Sequence, residues 1–336
     1  MKKIGKQTFV MDNPAYILGT ASIVGPKESN GPLQQYFDKC IEDEFWGEKT
    51  WEKAESKFIR EASSLALSNA DVSESDVDCI FAGDLLNQCI ASTFGLRDFG
   101  VPFFGIFGAC STFVESLILG SVFIDSNATK NILCATSSHF CGAEKQFRFP
   151  LELGNQRPQS SQWTVTGSGA CVLGNSSHQD VPRITAVTPG IITDLGVKDA
   201  SNMGAAMMPS ALSTLKAHFE DLEISPDYYD LIITGDLGYV GKDMLIEQAG
   251  NYGFDLTHNY NDTGVLMFDK NKQDTHAGGS GCACVATVFS GYLYKMLKEK
   301  QIRKLLLMAT GALMNATSSQ QGESIPGICH AVQIEI

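Results

Sequence analysis

The stretch Gly108-Ala109-Cys110-Ser111-Thr112 holds the residues best suited to chemistry. An apolar, strand-like run from Val101 to Phe107 precedes it, and an amphipathic, helix-like run from Phe113 to Ile124 follows. Cys110 therefore falls where a strand turns into a helix, with the first free N–H groups of the helix aimed at its sulfur. That position lowers a thiol pKa and attracts anions, so it suits a nucleophile or an anion-binding pocket. A small buried packing residue is the third use of a cysteine there. A glycine-rich loop, His276 to Cys284, stands in a comparable place before a second long helix. Cys282-x-Cys284 has no second pair beside it, which favours packing over a metal or redox pair. No phosphate-binding or dinucleotide-binding glycine motif is present.

These candidates sit in a chain that is written twice. Asp78-Cys79-Ile80-Phe81-Ala82-Gly83-Asp84-Leu85 returns as Asp230-Leu231-Ile232-Ile233-Thr234-Gly235-Asp236-Leu237, an offset of 152 residues. Asn131 to Ser137 pairs in the same way with Lys304 to Gly311, and Tyr16 to Ala21 with Arg183 to Thr188. Each half alternates strands and helices, with continuous β-branched runs like those of buried strands. A repeat of this length indicates domain duplication, giving halves at about 1–180 and 181–336. The alternation predicts an α/β architecture with mainly parallel sheets covered on both faces. Equivalent loops of two such halves meet between them, so the pocket is expected there, with Cys110 on one side and the loop around Gly279 on the other.

Residues 138–164 have no counterpart in the second half. They carry Lys145, Arg148 and Arg157 with the aromatics Phe147, Phe149 and Trp163. A long insertion in a compact domain reads either as a lid or wall over the pocket or as a solvated surface loop.

Composition narrows the function. The net charge of −13 opposes nucleic acid and leaves an anionic ligand dependent on local helix ends or a few basic side chains. Met1-Lys2-Lys3 leads into polar sequence rather than a signal peptide, and no apolar run approaches the roughly 20 residues that span a bilayer. The ten cysteines then read as free thiols.

The duplicated halves, the Gly108–Thr112 turn and Thr166-Gly167-Ser168-Gly169-Ala170-Cys171 together resemble the thiolase and ketoacyl synthase superfamily. Gly47 to Glu55, Ala82 to Gln88, Gln146-Phe147-Arg148, Gly278 to Cys284 and Glu323 to Pro326 narrow the resemblance to its sporulation branch in spore-forming bacteria. The resemblance implies a thiolase-like fold in layers α-β-α-β-α that binds pyridine-2,6-dicarboxylic acid (dipicolinic acid), free or as its calcium chelate. It also implies a role in loading that compound into the developing spore, at the periphery of the inner membrane beside membrane partners, and a homodimer.

Condensing enzymes of the superfamily need two further groups beside the cysteine, His with His or His with Asn. Cys110 matches the nucleophile position. His276-Ala277-Gly278-Gly279-Ser280-Gly281 matches the thiolase His loop only loosely, so His276 is either a remnant base or a surface histidine beside Asp274. Gly235-Asp236 stands where a His or Asn is required, and a carboxylate there repels an oxyanion. Asp236 and its repeat mate Asp84 read equally as turn or cap residues. Cys329-His330 falls where thiolases carry a second cysteine, and lines the pocket or packs a terminal strand. The expected protein is a non-catalytic binder without cofactor or metal. The expected ligand contacts are Cys110, Ser111, Lys145, Arg148, Asp236, His276, Gly279 and Cys329. The rival is an acyltransferase using Cys110.

Overall fold

The computed structural model describes residues 1–147, 157–176 and 180–336. In the first half, β1 (Thr8–Val24), α1 (Trp51–Asn69), β2 (Cys79–Gly83), α2 (Ile90–Leu96) and β3 (Phe103–Gly105) come first. Then follow α3 (Thr112–Asp125), β4 (Asn131–Ser138), α4 (Phe140–Phe147) and β5 (Gly167–Gly174). The second half opens with β6 (Arg183–Thr188), α5 (Met203–Leu222), β7 (Leu231–Gly235), α6 (Gly238–Gly250) and β8 (Tyr260–Asp262). Helix α7 (Cys282–Thr287), continued by a π-helical stretch Val288–Leu293, precedes β9 (Lys304–Ala312) and β10 (Gly327–Glu335).

The two halves share one topology. Strand order is β3-β2-β4-β5-β1 in the first and β8-β7-β9-β10-β6 in the second. In both, the first two ladders are parallel and the last two antiparallel. The sheets are therefore mixed, not mainly parallel as the strand–helix alternation suggested. The closing strands β5 and β10 run antiparallel to the strands on both sides of them, which the apolar pattern of a strand does not disclose. β1 pairs antiparallel with β6 and joins the half-sheets edge to edge. Asp84 and Asp236 sit just past the ends of β2 and β7, at equivalent places.

Five layers result, as the resemblance implied. Helix α1 buries Ala54, Phe58, Ile59, Ala62 and Ala66 on one face of the first sheet, with Thr50 capping its start by accepting from Lys53 N–H. α5 and α6 cover the far face of the second sheet. α3 and α7 lie between the sheets. Sequence periodicity marked α3 as amphipathic, but it is buried on nearly every side, as a helix touching strands from both halves must be.

One buried carboxyl in this frame makes stability pH-dependent. Glu28 has no exposed surface; one oxygen accepts from Thr166 N–H at 3.0 Å and the other has no partner among the described residues. Burial raises its pKa from 4.5 to about 7. The folded state thus holds the proton more tightly than the unfolded chain, and this stability is complete below about pH 4.5 and lost as pH rises to about 7. Glu28→Gln keeps the acceptor for Thr166. It is expected to stabilise the protein above neutrality, by up to about 3 kcal/mol, and to change little in acid. Urea unfolding at both ends of this range tests it; equal effects at both would exclude the carboxyl as the cause.

Candidate functional site

Cys110 lies in a single 3-10 turn, Ala109–Ser111, that runs into α3, with Ala109 at φ +53°. Local bonds occupy this turn. Ser111 N–H donates to Gly108 O at 3.3 Å, and the Thr112 N–H donates to Ala109 O. The Ser111 hydroxyl also bonds Gly108 O, at 2.7 Å, and the side chain is fully buried. The N–H groups expected to hold an anion are therefore engaged, and the Ser111 side chain closes the turn and does not line the cavity.

The sulfur of Cys110 faces the second half. Gly281 N–H donates to it at 3.2 Å. Gly281 has φ +104°, and a Cβ there would lie 2.8 Å from Ser138 Oγ, so only glycine brings this N–H so close. The Asp236 carboxyl lies against the thiols of Cys110 and Cys284, at a backbone φ of +74°. Burial, reinforced by Asp236, pushes the Cys110 thiol well above its usual range, outweighing the Gly281 bond. The lowered pKa expected at a helix start is thus reversed, because desolvation exceeds the pull of one short turn.

Asp236 itself is fully buried, and one oxygen has no hydrogen-bond partner among the described residues. Burial pushes its pKa well up, with Asp262 adding to the effect. Cys110 therefore holds its proton at neutral pH, and enclosure favours the uncharged acid form of Asp236 beside it. A neutral acid does not repel an oxyanion as a carboxylate does, which removes one sequence argument against catalysis. Among the described residues no histidine lines the cavity. His276 is held 2.9 Å from Pro158 O and 2.8 Å from the Asp274 carboxylate, away from the cavity. Asp84, the repeat mate, serves its own loop by accepting from Leu86 N–H, Ser92 N–H and the Ser92 hydroxyl.

A cavity of about 220 Å³ opens above Cys110 between the halves. Leu85, Phe107, Ala143, Phe147, Met203 and Met314 give it an apolar lining. Thr164, Ser280, Asn315 and Glu144 supply the polar side chains. Thr164 and Ser280 are register partners in a two-stranded parallel ladder, Trp163–Thr164 with Gly279–Ser280, that forms one wall. Of the inserted segment, α4 and Thr164 contribute to the cavity wall.

The other expected contacts lie elsewhere. Gly279 alternates with Ser280 along the ladder and faces Phe268 and Cys284 in the core. Lys145 projects to solvent and pairs with Glu52 at 2.7 Å. Cys329 is fully buried in β10 beneath α5, where its carbonyl accepts from Thr214. Arg148 lies outside the described residues. Of the set named from sequence, Cys110 lines the cavity, Asp236 backs it and Gly279 holds its wall.

Sequence reasoning missed Glu144, Met203 and Leu313 to Asn315. The i, i+4 pair Ala143 and Phe147 was a legible signal for α4. Met203 begins α5 and Leu313 follows β9; the layering of the halves alone brings them to the cavity.

The layered, duplicated architecture with a cysteine at the turn before the central helix defines a thiolase-fold protein. Solved structures agree. 3-Oxoacyl-(acyl carrier protein) synthase III, FabH, from Xanthomonas oryzae pv. oryzae is similar at a TM-score of 0.62 and 14% identity, covering 98% of this chain and 100% of its own. OleA from Xanthomonas campestris with cerulenin bound gives 0.62 and 14%, covering 98% of each chain. The model of the stage V sporulation protein AD (SpoVAD) family matches residues 5–335. Stage V sporulation protein AD of Bacillus subtilis (strain 168) is 41% identical over 335 residues, 100% of this chain and 98% of that protein. The chain belongs to the stage V sporulation protein AD family.

Proposed function

We propose that the cavity binds dipicolinic acid without turning it over, and that the protein thereby supports loading of this compound into the developing spore. A place at the periphery of the inner membrane, beside membrane partners, goes with that role; no helix among the described residues is long and apolar enough to cross a membrane. The observation carrying the binding role is a small apolar cavity with polar groups left uncommitted. The hydroxyls of Thr164 and Ser280 and the side-chain amide N–H₂ of Asn315 line it without a hydrogen-bond partner among the described residues. A rigid aromatic ring fits against Leu85, Phe107 and Phe147, and its carboxylates can accept from these donors.

The absence of turnover rests on the site floor. Burial favours the protonated Cys110 thiol and no histidine among the described residues lines the cavity, so at neutral pH no group described there takes the proton from Cys110. Calorimetric titration with dipicolinic acid and its isomeric pyridine dicarboxylates, with and without calcium, tests the binding. The expected result is saturable binding of the 2,6-isomer; none in either condition would reject it. Incubation with acetyl- and malonyl-coenzyme A is expected to give no product and no acylated Cys110 by mass spectrometry. Turnover that vanishes in Cys110→Ala would instead establish the acyltransferase, the activity that the fold of the similar synthases suggests.

A further inference from the structure

Two thiols cross at the cavity floor. Gly281 N–H donates to Cys110 Sγ at 3.2 Å, and the Cys282 thiol donates to Ala109 O at 3.0 Å. Each sulfur thus rests on the residue just before the other cysteine. Both side chains belong to one buried cluster with Leu85 and Ala143. Cys110 lines the cavity while Cys282 is fully buried behind it. Cys110 comes from the turn before α3 and Cys282 opens α7, so the pair spans the two halves.

We propose that Cys110 and Cys282 form a dithiol site that reduces a small, uncharged disulfide entering the cavity and closes to a disulfide between the halves. The Cys110 thiolate attacks one sulfur of the entering disulfide, forms a mixed disulfide and releases the first thiol. Cys282 then attacks the Cys110 sulfur, forms the internal bond and releases the second thiol. The protein loses two protons and two electrons, and the entering disulfide gains them as two thiols. Geometry assigns the order, because only Cys110 faces the cavity and only Cys282 lies behind it. The Gly281 N–H supports the attacking thiolate as it forms. Cys284 is set apart, since its sulfur faces Asp236 and the Thr263 hydroxyl at 3.7 Å. Burial holds both reacting thiols in their protonated forms, so the reaction is slow at neutral pH and faster in mild alkali.

The test uses the full chain and 2-hydroxyethyl disulfide at mildly alkaline pH, followed by alkylation of the remaining thiols, intact mass and peptide mapping. The expected product is a mass lower by about 2 Da before alkylation, with Cys110 and Cys282 in one crosslinked peptide and reversal by dithiothreitol. Cys282→Ser is expected to stop at the mixed disulfide on Cys110, and Cys110→Ser to form neither species. Oxidised glutathione, large and charged beside a cavity of about 220 Å³, is expected to react at least about tenfold more slowly. A crosslink through Cys284, or unchanged Cys110 and Cys282 in the parent protein, would overturn the proposal. No dipicolinic acid enters this experiment, so its failure and a failure of the binding role are read separately.

Discussion

Cys110→Glu is expected to lower affinity for dipicolinic acid by at least about a hundredfold, a loss of roughly 2.7 kcal/mol. The substitution places a longer side chain at the floor of a cavity of about 220 Å³, so the ligand loses room first. A glutamate that ionises there also meets a dianion in a weakly screened, partly apolar space, and like charges oppose each other more strongly there than in water. A glutamate that stays neutral still occupies the volume. Ala143→Phe approaches the same cavity from α4, away from the packed turn at Cys110, and is expected to give a comparable loss. Single donor deletions are milder. Ser280→Ala and Thr164→Val each remove one bond to a charged acceptor, worth about 1.5–3 kcal/mol, and are expected to weaken binding about ten- to a hundredfold. Lys145→Ala is expected to leave affinity unchanged, because its ammonium pairs with Glu52 at the surface. Calorimetry on variants with a cooperative melting transition decides the matter. Unchanged affinity in folded Cys110→Glu and Ala143→Phe would place the ligand outside this cavity.

What the sequence disclosed follows the range of the interactions involved. The repeat around Asp84 and Asp236 was legible because duplicated strands keep their buried, β-branched pattern, and it correctly placed both residues at equivalent strand ends. The sense of the closing strands was not, since β5 and β10 carry the same apolar runs that parallel strands carry. Cys110 was legible from its local turn. Its protonation was not, because burial depends on α4 and on the loop at Gly281, which are distant in sequence. The charge of Asp236 escaped for the same reason: residue type suggests a carboxylate, whereas enclosure with Asp262 and two thiols favours the acid. Lys145 and His276 were attractive because of their chemistry, but Glu52 and Asp274 hold them elsewhere.

Asp236→His is expected to raise the rate at which iodoacetamide alkylates Cys110 at neutral pH by about two decades. In the parent, burial holds the thiol well above its ordinary pKa of 9.0, and the neighbouring acid offers no basic nitrogen. Less than about 1% of a thiol with such a pKa is thiolate at pH 7. An imidazole in place of the carboxyl can take the thiol proton, and the imidazolium then pairs with the thiolate. A shift of about two pKa units multiplies the thiolate fraction about a hundredfold while that fraction remains small. The sign appears in the pH profile: the parent rate keeps rising through alkaline pH, whereas the variant rate reaches a plateau at lower pH. Asp236→Asn separates the two causes, since it removes the acid without supplying a base, and only a small increase is expected. Mass spectrometry of the peptide carrying Cys110 reports the site directly, so reaction at the other cysteines does not enter the rate. Profiles that coincide in the parent and the histidine variant would show that residue 236 does not govern the thiol. A hundredfold increase confined to the histidine variant would show that a base at residue 236 suffices to activate the Cys110 thiol that the fold positions there.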